Sequence, residues 1–324
     1  MSLKTIYNKK QGSKSPCICK EIIDFAPVSL SDKELYNSYM LSSDDIGCEN
    51  SFANIFLWGD QKIAYICGHV VRLARFGNFE FYAYPIGNGD KKEVIDALIT
   101  DAKRRGINFS MGGITKEGKE LISAWYGDEI ELVERRNSFD YVYEIEDLAT
   151  LGGKKYHSKR NHFSNFIKAH PHYTVEEISR ENIGALVRMT EEWYKDKEKS
   201  SPETDFSGER AAIFKAFDNY FDMGLDGIAI FDNGTPLAFT IGNFLTYNTF
   251  DINFEKAVSG VNGAYAAVNK EFANYLKIKY PRIEYLNREE DMGLPGLRKA
   301  KESYYPHQMV EKYRAYLRET DDED

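Results

Sequence analysis

Apolar residues recur at helical spacing in one set of segments and alternate with polar ones in another, and the two kinds interleave along the chain. Positions 94, 95, 98, 99 and 102 of DKKEVIDALITDAKRRG share one helix side, and KEGKELISAWYG, ENIGALVRMTEEWYKDKE and AAVNKEFANYLKIKY read as helices too. Ser31, with Glu34 three residues on, predicts a capping box at the start of SDKELYNSYM. Strands are predicted in KIAYICGHVVRLARF, which reads as a hairpin, and in FEFYAYPIG, INFSMGG, EIELVE and FDYVYEI. After residue 150 a similar order returns. Asn233-Gly234 centres a second hairpin, followed by the strand NTFDINFEKA, the loop VSGVNGAY, a helix, the strand RIEYLN, the short helix LPGLRKAKESY and one last strand, HQMVEKYRAYL. The pattern predicts a mixed α/β (α+β) fold in two domains, 1–150 and 151–324, joined by a basic helix over 154–170. The first ~17 residues and the acidic tail ETDDED are expected to be irregular.

Composition limits the classes available. Hydrophobic residues make up 42% and aromatics 14% of 324 residues, enough for two cores. No apolar run approaches the ~20 residues of a membrane span, and the N-terminus lacks a signal-peptide stretch, so a cytoplasmic location is expected. Cys17, Cys19, Cys48 and Cys67 have neither the spacing of a zinc site nor that of a disulfide framework, so reduced thiols and no metal are expected.

Charge changes the picture more. The net charge is −9, yet the 28 residues from Leu148 to Val175 contain no acid, five Lys or Arg and four of the six His. Cations confined in this way within an acidic protein suit a polyanionic partner, as well as a solvated connector. Lys155, Lys159 and Arg160 are the candidates on this helix. On TFDINFEKA a period of two sets Phe250, Ile252 and Phe254 against Asp251, Asn253 and Glu255, which suits a cleft wall or an ordinary solvent-facing strand side. Gly260 and Gly263 precede a helix whose N-terminus would hold a phosphate, although any tight strand-to-helix turn uses two glycines. Arg288, Glu289, Glu290 and Asp291 follow a strand end, where α/β sheets commonly bind ligands. Arg298, Lys299 and Lys301 add cations on the next helix, and surface ion pairs are the plainer account of them.

The segments SGVNGAY, INFEKA, YLNREEDMGLPGLRKAKESYYP and GKKYHSKRNHFSNF resemble uncharacterised bacterial proteins assigned to the C-terminal catalytic domain of phosphatidylglycerol lysyltransferases. The resemblance covers nearly the whole chain. It implies two tandem GNAT-like acyltransferase domains, each with a mixed, mostly antiparallel sheet flanked by helices, a relation shared with Fem-type aminoacyltransferases. It further implies transfer of an aminoacyl group from aminoacyl-tRNA to an amine or hydroxyl acceptor, an anionic lipid headgroup or a peptide, with no cofactor beyond the donor. On this reading Gly260 and Gly263 hold phosphate. Arg298, Lys299 and Lys301 lie near the tRNA acceptor end or the acceptor substrate, together with Asn253, Arg288 and the basic helix. Asp251, Glu255, Asp291 and Tyr304 are the catalytic candidates, and Asp291→Ala is expected to lower turnover with the fold intact. No counterpart of the membrane-embedded part of full lysyltransferases is expected, so a lipid is expected to be reached by peripheral binding. Two other functions are open: a CoA-dependent N-acyltransferase using acyl-CoA, although SGVNGAY lacks that class's closely spaced small residues, and a non-catalytic binding module.

Overall fold

A computed structural model describes residues 22–40, 43 and 45–318. Cys17, Cys19, the N-terminal stretch and the acidic tail lie outside the described residues. The strands are β1 (Ala26–Pro27), β2 (Asp60–Ile66), β3 (His69–Phe76), β4 (Phe79–Gly87), β5 (Ser110–Ile114), β6 (Ile130–Glu134) and β7 (Asp140–Glu144). The second half supplies β8 (Tyr173–Glu177), β9 (Asp226–Asp232), β10 (Thr235–Phe244), β11 (Thr249–Ala257), β12 (Tyr285–Asn287), β13 (Gln308–Val310) and β14 (Tyr313–Leu317).

They form two seven-stranded sheets, β1-β2-β3-β4-β5-β14-β6 and β13-β7-β12-β11-β10-β9-β8. Each is antiparallel except at one place. In the first, β4 and β5 run parallel and pair only at Tyr82↔Met111 and Ala83↔Gly112. In the second, β11 and β12 pair in parallel from Thr249↔Tyr285 to Asp251↔Asn287. Beyond these short ladders the strands part.

The sheets also exchange a strand each. β7 lies between β12 and β13, and β14 lies between β5 and β6. Sheet membership therefore does not follow the division at residue 150. HQMVEKYRAYL is accordingly not one strand but two in different sheets, because the chain crosses over at Glu311 and Lys312.

Helices close both sheets because their apolar stripes match the expected periods. Val94, Ile95, Leu98 and Ala102 of the helix Lys91–Arg105 pack on Val71, Tyr82 and Met111. Ala267, Val268, Phe272 and Leu276 of the helix Ala264–Lys279 pack on Phe250, Ile252 and Leu286. Each fully buried large side chain contributes roughly 1.5–3 kcal/mol. On the opposite face of the second sheet, Ala53 and Leu57 from the first half join Leu186, Ile213 and Phe217, so the lobes share a core. The first helix is capped by Ser29, not Ser31. Asp32 accepts from the Ser29 amide at 2.8 Å, and a 3-10 turn, Leu30–Asp32, precedes Lys33–Met40. Cys48 is a buried free thiol, whereas Cys67 is disulfide-bonded, against the expectation of reduced thiols. Among the described residues no helix is long and apolar enough to cross a membrane.

Candidate active site

Where β11 and β12 part, a cavity of about 1160 Å³ opens and continues across the face of the first sheet. A bulge shapes its wall. Ile241 pairs with Phe254 but Gly242 with Ile252, which leaves Asn253 as an extra residue on β11. Such an insertion re-aims every side chain that follows. Phe254 therefore leaves the core of Phe250 and Ile252 and stacks on Trp58 at 5.9 Å, while Glu255 turns to Arg288. The single polar face expected for Asp251, Asn253 and Glu255 is thus split in two.

An acidic network lies at the lobe junction. Asn54 Nδ2 donates to Glu289 Oε1 at 2.8 Å and to Asp251 Oδ2 at 3.3 Å, and Asn253 Nδ2 donates to Asp251 Oδ2 at 3.1 Å. Burial, the nearby Glu290 and, more weakly, Asp140 push the Glu289 carboxyl up to about 8, against the pull of Asn54 and Lys301. Asp251 is raised well above the usual carboxylate range by burial, then by Glu289 and Asp140. It sits behind the cavity wall. Glu289, Glu290, Asn253 and Glu255 line the cavity, and Asn253 Oδ1 is buried there with no hydrogen-bond partner.

Behind them Asp140, fully buried at the start of β7, accepts from the Cys48 amide at 2.8 Å, Asn287 Nδ2 at 3.0 Å and Lys312 Nζ at 2.6 Å. Burial opposes charge on Lys312, but Asp140, Cys48 and Glu49 hold it protonated well above the ordinary range. Burial and Asp140 raise the Cys48 thiol, so it stays protonated and is no nucleophile. Cys48, Asp140 and Glu290 offer ligand atoms within 4.8 Å of one another, but the Lys312 ammonium already supplies their positive charge.

Cations gather on the other side. Lys159, from the basic helix His157–Ala169, places Nζ 3.9 Å from the centre of the Tyr304 ring, and Arg288 lies 5.1 Å from the same ring. Burial, and Arg288 after it, lower Lys159 to about 8. Burial raises the Tyr304 hydroxyl to about 12, so it is a neutral donor at pH 7. Arg288 Nη2 meets Glu255 Oε1 at 3.0 Å. Beside them Gly263, Ala264, Tyr265 and Ala266 line the cavity at the N-terminus of a 16-residue helix, where amides and the helix dipole favour an anion. Gly263 has φ +81, and a Cβ there would lie 2.3 Å from the His162 carbonyl oxygen. Only glycine lets this loop meet the basic helix.

Other sequence candidates are placed elsewhere. Lys155 pairs with Asp147 at 2.9 Å, and Arg160 donates to the carbonyls of Leu151 and Gly153 at 2.5 and 2.6 Å, closing a helix end. Lys299 is exposed away from the cavity, and Gly260 faces open space. Lys301 lines the cavity, but its Nζ is committed to the carbonyls of Arg288, Glu289 and Glu290 at 2.5, 3.1 and 2.5 Å. Asp291 does not line the cavity. It is fully buried and accepts from Arg298 at 2.8 Å, Arg136 at 3.1 Å, Tyr141 at 2.6 Å and the Gly293 amide at 2.8 Å. Burial would raise it, yet Arg298, Tyr141 and the Gly293 amide hold it well below the usual range. Asp291 therefore anchors the late turn to β7, and losing it threatens the fold, contrary to the expectation for Asp291→Ala. Sequence reasoning missed Asn54, Asp140 and Lys312, and it placed Glu289 and Glu290 at the strand end without giving either a role. Asp140, an acid opening the otherwise apolar strand FDYVYEI, was the available signal.

A family model described as phosphatidylglycerol lysyltransferase, C-terminal, matches residues 42–316. A conserved protein of unknown function from Bacteroides thetaiotaomicron VPI-5482 is 36% identical, with 91% of this chain and 100% of that one covered and a TM-score of 0.86. L-PGS from Bacillus licheniformis is 16% identical, with 89% and 92% covered and a TM-score of 0.65. FemX shares the fold at 8% identity and a TM-score of 0.58, with 91% and 98% covered. The expected architecture of two tandem GNAT-like units with mixed sheets is therefore present. An uncharacterized protein of Mycoplasmoides gallisepticum is 26% identical over 187 residues, 57% of this chain, and the chain spans 58% of the length of that curated relative.

Proposed function

Because the chain belongs to the phosphatidylglycerol lysyltransferase C-terminal family, we propose that it is an acyltransferase that moves an aminoacyl group from aminoacyl-tRNA to a hydroxyl or amine of a lipid headgroup or peptide. One observation carries this reading: the cavity has an anion-receiving side and an acidic side facing each other. An aminoacyl ester at the end of a nucleic acid has both charges. Lys159, Arg288 and the amides at Ala264–Ala266 suit its phosphate, while Glu290 and Asn253 Oδ1 suit its ammonium. An acetyl group on CoA would leave the acids without a role.

Transfer is direct. The acceptor oxygen or nitrogen forms a bond to the ester carbonyl carbon, its proton passes to Glu289, and the bond to the ribose oxygen breaks as that oxygen takes the proton back. A group with a pKa of about 8 is suited to both halves of this exchange. Lys159 or the helix amides stabilise the oxyanion. A lipid acceptor would enter over the apolar lip formed by Met292 and Leu294, 61% and 49% exposed.

The test is incubation of the protein with aminoacyl-tRNAs labelled in the amino acid, together with bacterial lipid and peptide extracts. Label is expected to move to one extract. No transfer, with thermal stabilisation by CoA, would replace this reading with a CoA-dependent N-acyltransferase. Ligand binding without turnover would make the chain a binding module.

A further inference from the structure

The cavity has a second arm that the transfer chemistry does not use. Its floor is one face of the first sheet, where Arg72 and Ala74 of β3 lie opposite Ala83 and Phe81 of β4, and it ends at Phe76, whose strand partner Phe79 stands just outside the lining. Ala74, Ala83 and Gly112 are small, and this leaves the trough open. A Cβ on Gly112 would lie 3.2 Å from the Phe81 ring and 3.3 Å from Arg314 Nη2. At the hairpin tip Phe76 and Phe79 are 44% and 42% exposed. Their rings stack on Phe81 at 6.1 and 5.6 Å, with planes within 20° and 30°. Arg314, from β14, lies 4.5 Å from the Phe81 ring and 4.7 Å from the Phe79 ring, and its buried Nε has no hydrogen-bond partner. Arg135 also lines this arm. Burial disfavours charge on Arg314, Tyr316 supports it and Arg135 opposes it, so two like cations share the arm. The acids nearby are spoken for, Glu80 by Arg75 at 3.2 Å and Glu49 by Lys312 at 2.5 Å.

We propose that this arm is a stacking platform for unpaired nucleotides, formed by Phe76, Phe79 and Phe81 with Arg314 and Arg135 as phosphate and base partners. The proposal rests on the aminoacyl-tRNA reading and says where the single-stranded end of the donor lies. Planar rings carrying a guanidinium are what stack bases, and cations along the track hold the backbone. The opposite lip, aliphatic and ring-free at Met292 and Leu294, suits an alkyl chain and offers nothing to stack on. A base on the Phe shelf and an ester near Glu289 occupy one continuous cavity.

The test is fluorescence anisotropy with a labelled five-nucleotide single-stranded RNA, a blunt RNA duplex as competitor, and phosphatidylglycerol vesicles in a parallel arm. Phe79→Ala and Phe76→Ala should each weaken the single strand about tenfold, and Phe79→Tyr should restore it. Binding should fall with salt. Melting temperatures confirm that the exposed variants fold. In the transfer assay Phe79→Ala should raise KM for aminoacyl-tRNA by a similar factor. Unchanged RNA affinity in both alanine variants, or equal competition by the blunt duplex, overturns the proposal. So does loss of vesicle binding alone, which would make the shelf a membrane contact. Transfer with an unaltered KM removes the platform and leaves the transferase reading standing. Phe-dependent RNA binding without any transfer does the reverse.

Discussion

Glu289 shows how position alone changes a side chain's chemistry. Its backbone is left-handed, at φ +56, because the turn after β12 closes tightly through the Asn287 side chain, which accepts from the Glu289 amide at 2.7 Å. The carboxyl is thereby driven under the two asparagines and away from water. Raised from 4.5 to about 8, it keeps a proton in the folded chain over a range where the unfolded chain has lost it. The stability this contributes is complete below pH 4.5 and drains away as pH rises through about 8. Glu289→Gln should flatten the stability profile between pH 5 and 9 by on the order of 1–3 kcal/mol in urea titrations. It should also lower transfer about 100-fold or more. Lys159 changes charge over the same range, and its loss is read in binding. Lowered to about 8, it is positive only below that pH, so anion affinity should fall as pH rises through 8. Lys159→Arg should carry the affinity to higher pH, as seen in binding titrations with a short oligonucleotide. These roles were only partly legible in the sequence. Arg288 and Lys159 stood out as cations near a glycine loop, but REED offers three acids in a row. Nothing in their order shows that one is anchored by four donors and another left facing the cavity.

At the scale of elements, strand and helix types were legible because periods of 2 and 3.6 are local. The bulge on β11 was not. It is defined by the register with β10, so the alternation in TFDINFEKA reads as unbroken until the partner is known. Deleting Asn253 should remove the bulge while Ile241 keeps Phe254 and Gly242 keeps Ile252, so that Phe254 and Glu255 stay on their present sides. The expected result is a cooperatively folded protein that keeps the Glu255–Arg288 pair and its anion affinity but loses the Asn253 contacts to Asp251 and Glu289, read by calorimetry and anisotropy. The glycine loop gives a second contrast at this scale. Gly260 and Gly263 look alike in sequence and both have positive φ. A side chain at Gly260 meets open space, while one at Gly263 meets the backbone of the basic helix. Gly260→Ala should cost about 1 kcal/mol from backbone strain alone. Gly263→Ala should cost several times more and displace Lys159 and His162 from the cavity, lowering both melting temperature and anion affinity.

For the whole molecule, the exchanged strands decide what folds as a unit. β14 forms ladders with β5 from Tyr313↔Ile114 to Tyr316↔Ser110 and with β6 from Tyr313↔Glu134 to Leu317↔Ile130. Without it the edge strand β6 is cut off from β1–β5. β7 fills the matching place in the second sheet, between Leu286 and Met309 through Tyr143 and Tyr141. At the crossover Lys312, which immediately precedes β14, neutralises Asp140 at the start of β7, so the two exchanges share one buried ion pair. Breaking such a pair by removing one partner costs about 3–5 kcal/mol, because the other charge stays buried alone. Lys312→Ala should therefore destabilise both lobes equally, although each sheet keeps most of its strands. Differential calorimetry should show one transition in the native chain and one, at lower temperature, in the variant. Two separated transitions in either would mean that the lobes fold independently. By the same reasoning, pieces 1–150 and 151–324 should be insoluble when expressed apart and recover a native circular dichroism spectrum only when expressed together. The cavity lies across this junction, with Asn54 from one lobe hydrogen-bonded to Glu289 from the other, so the site should be lost in the same transition that unfolds both cores.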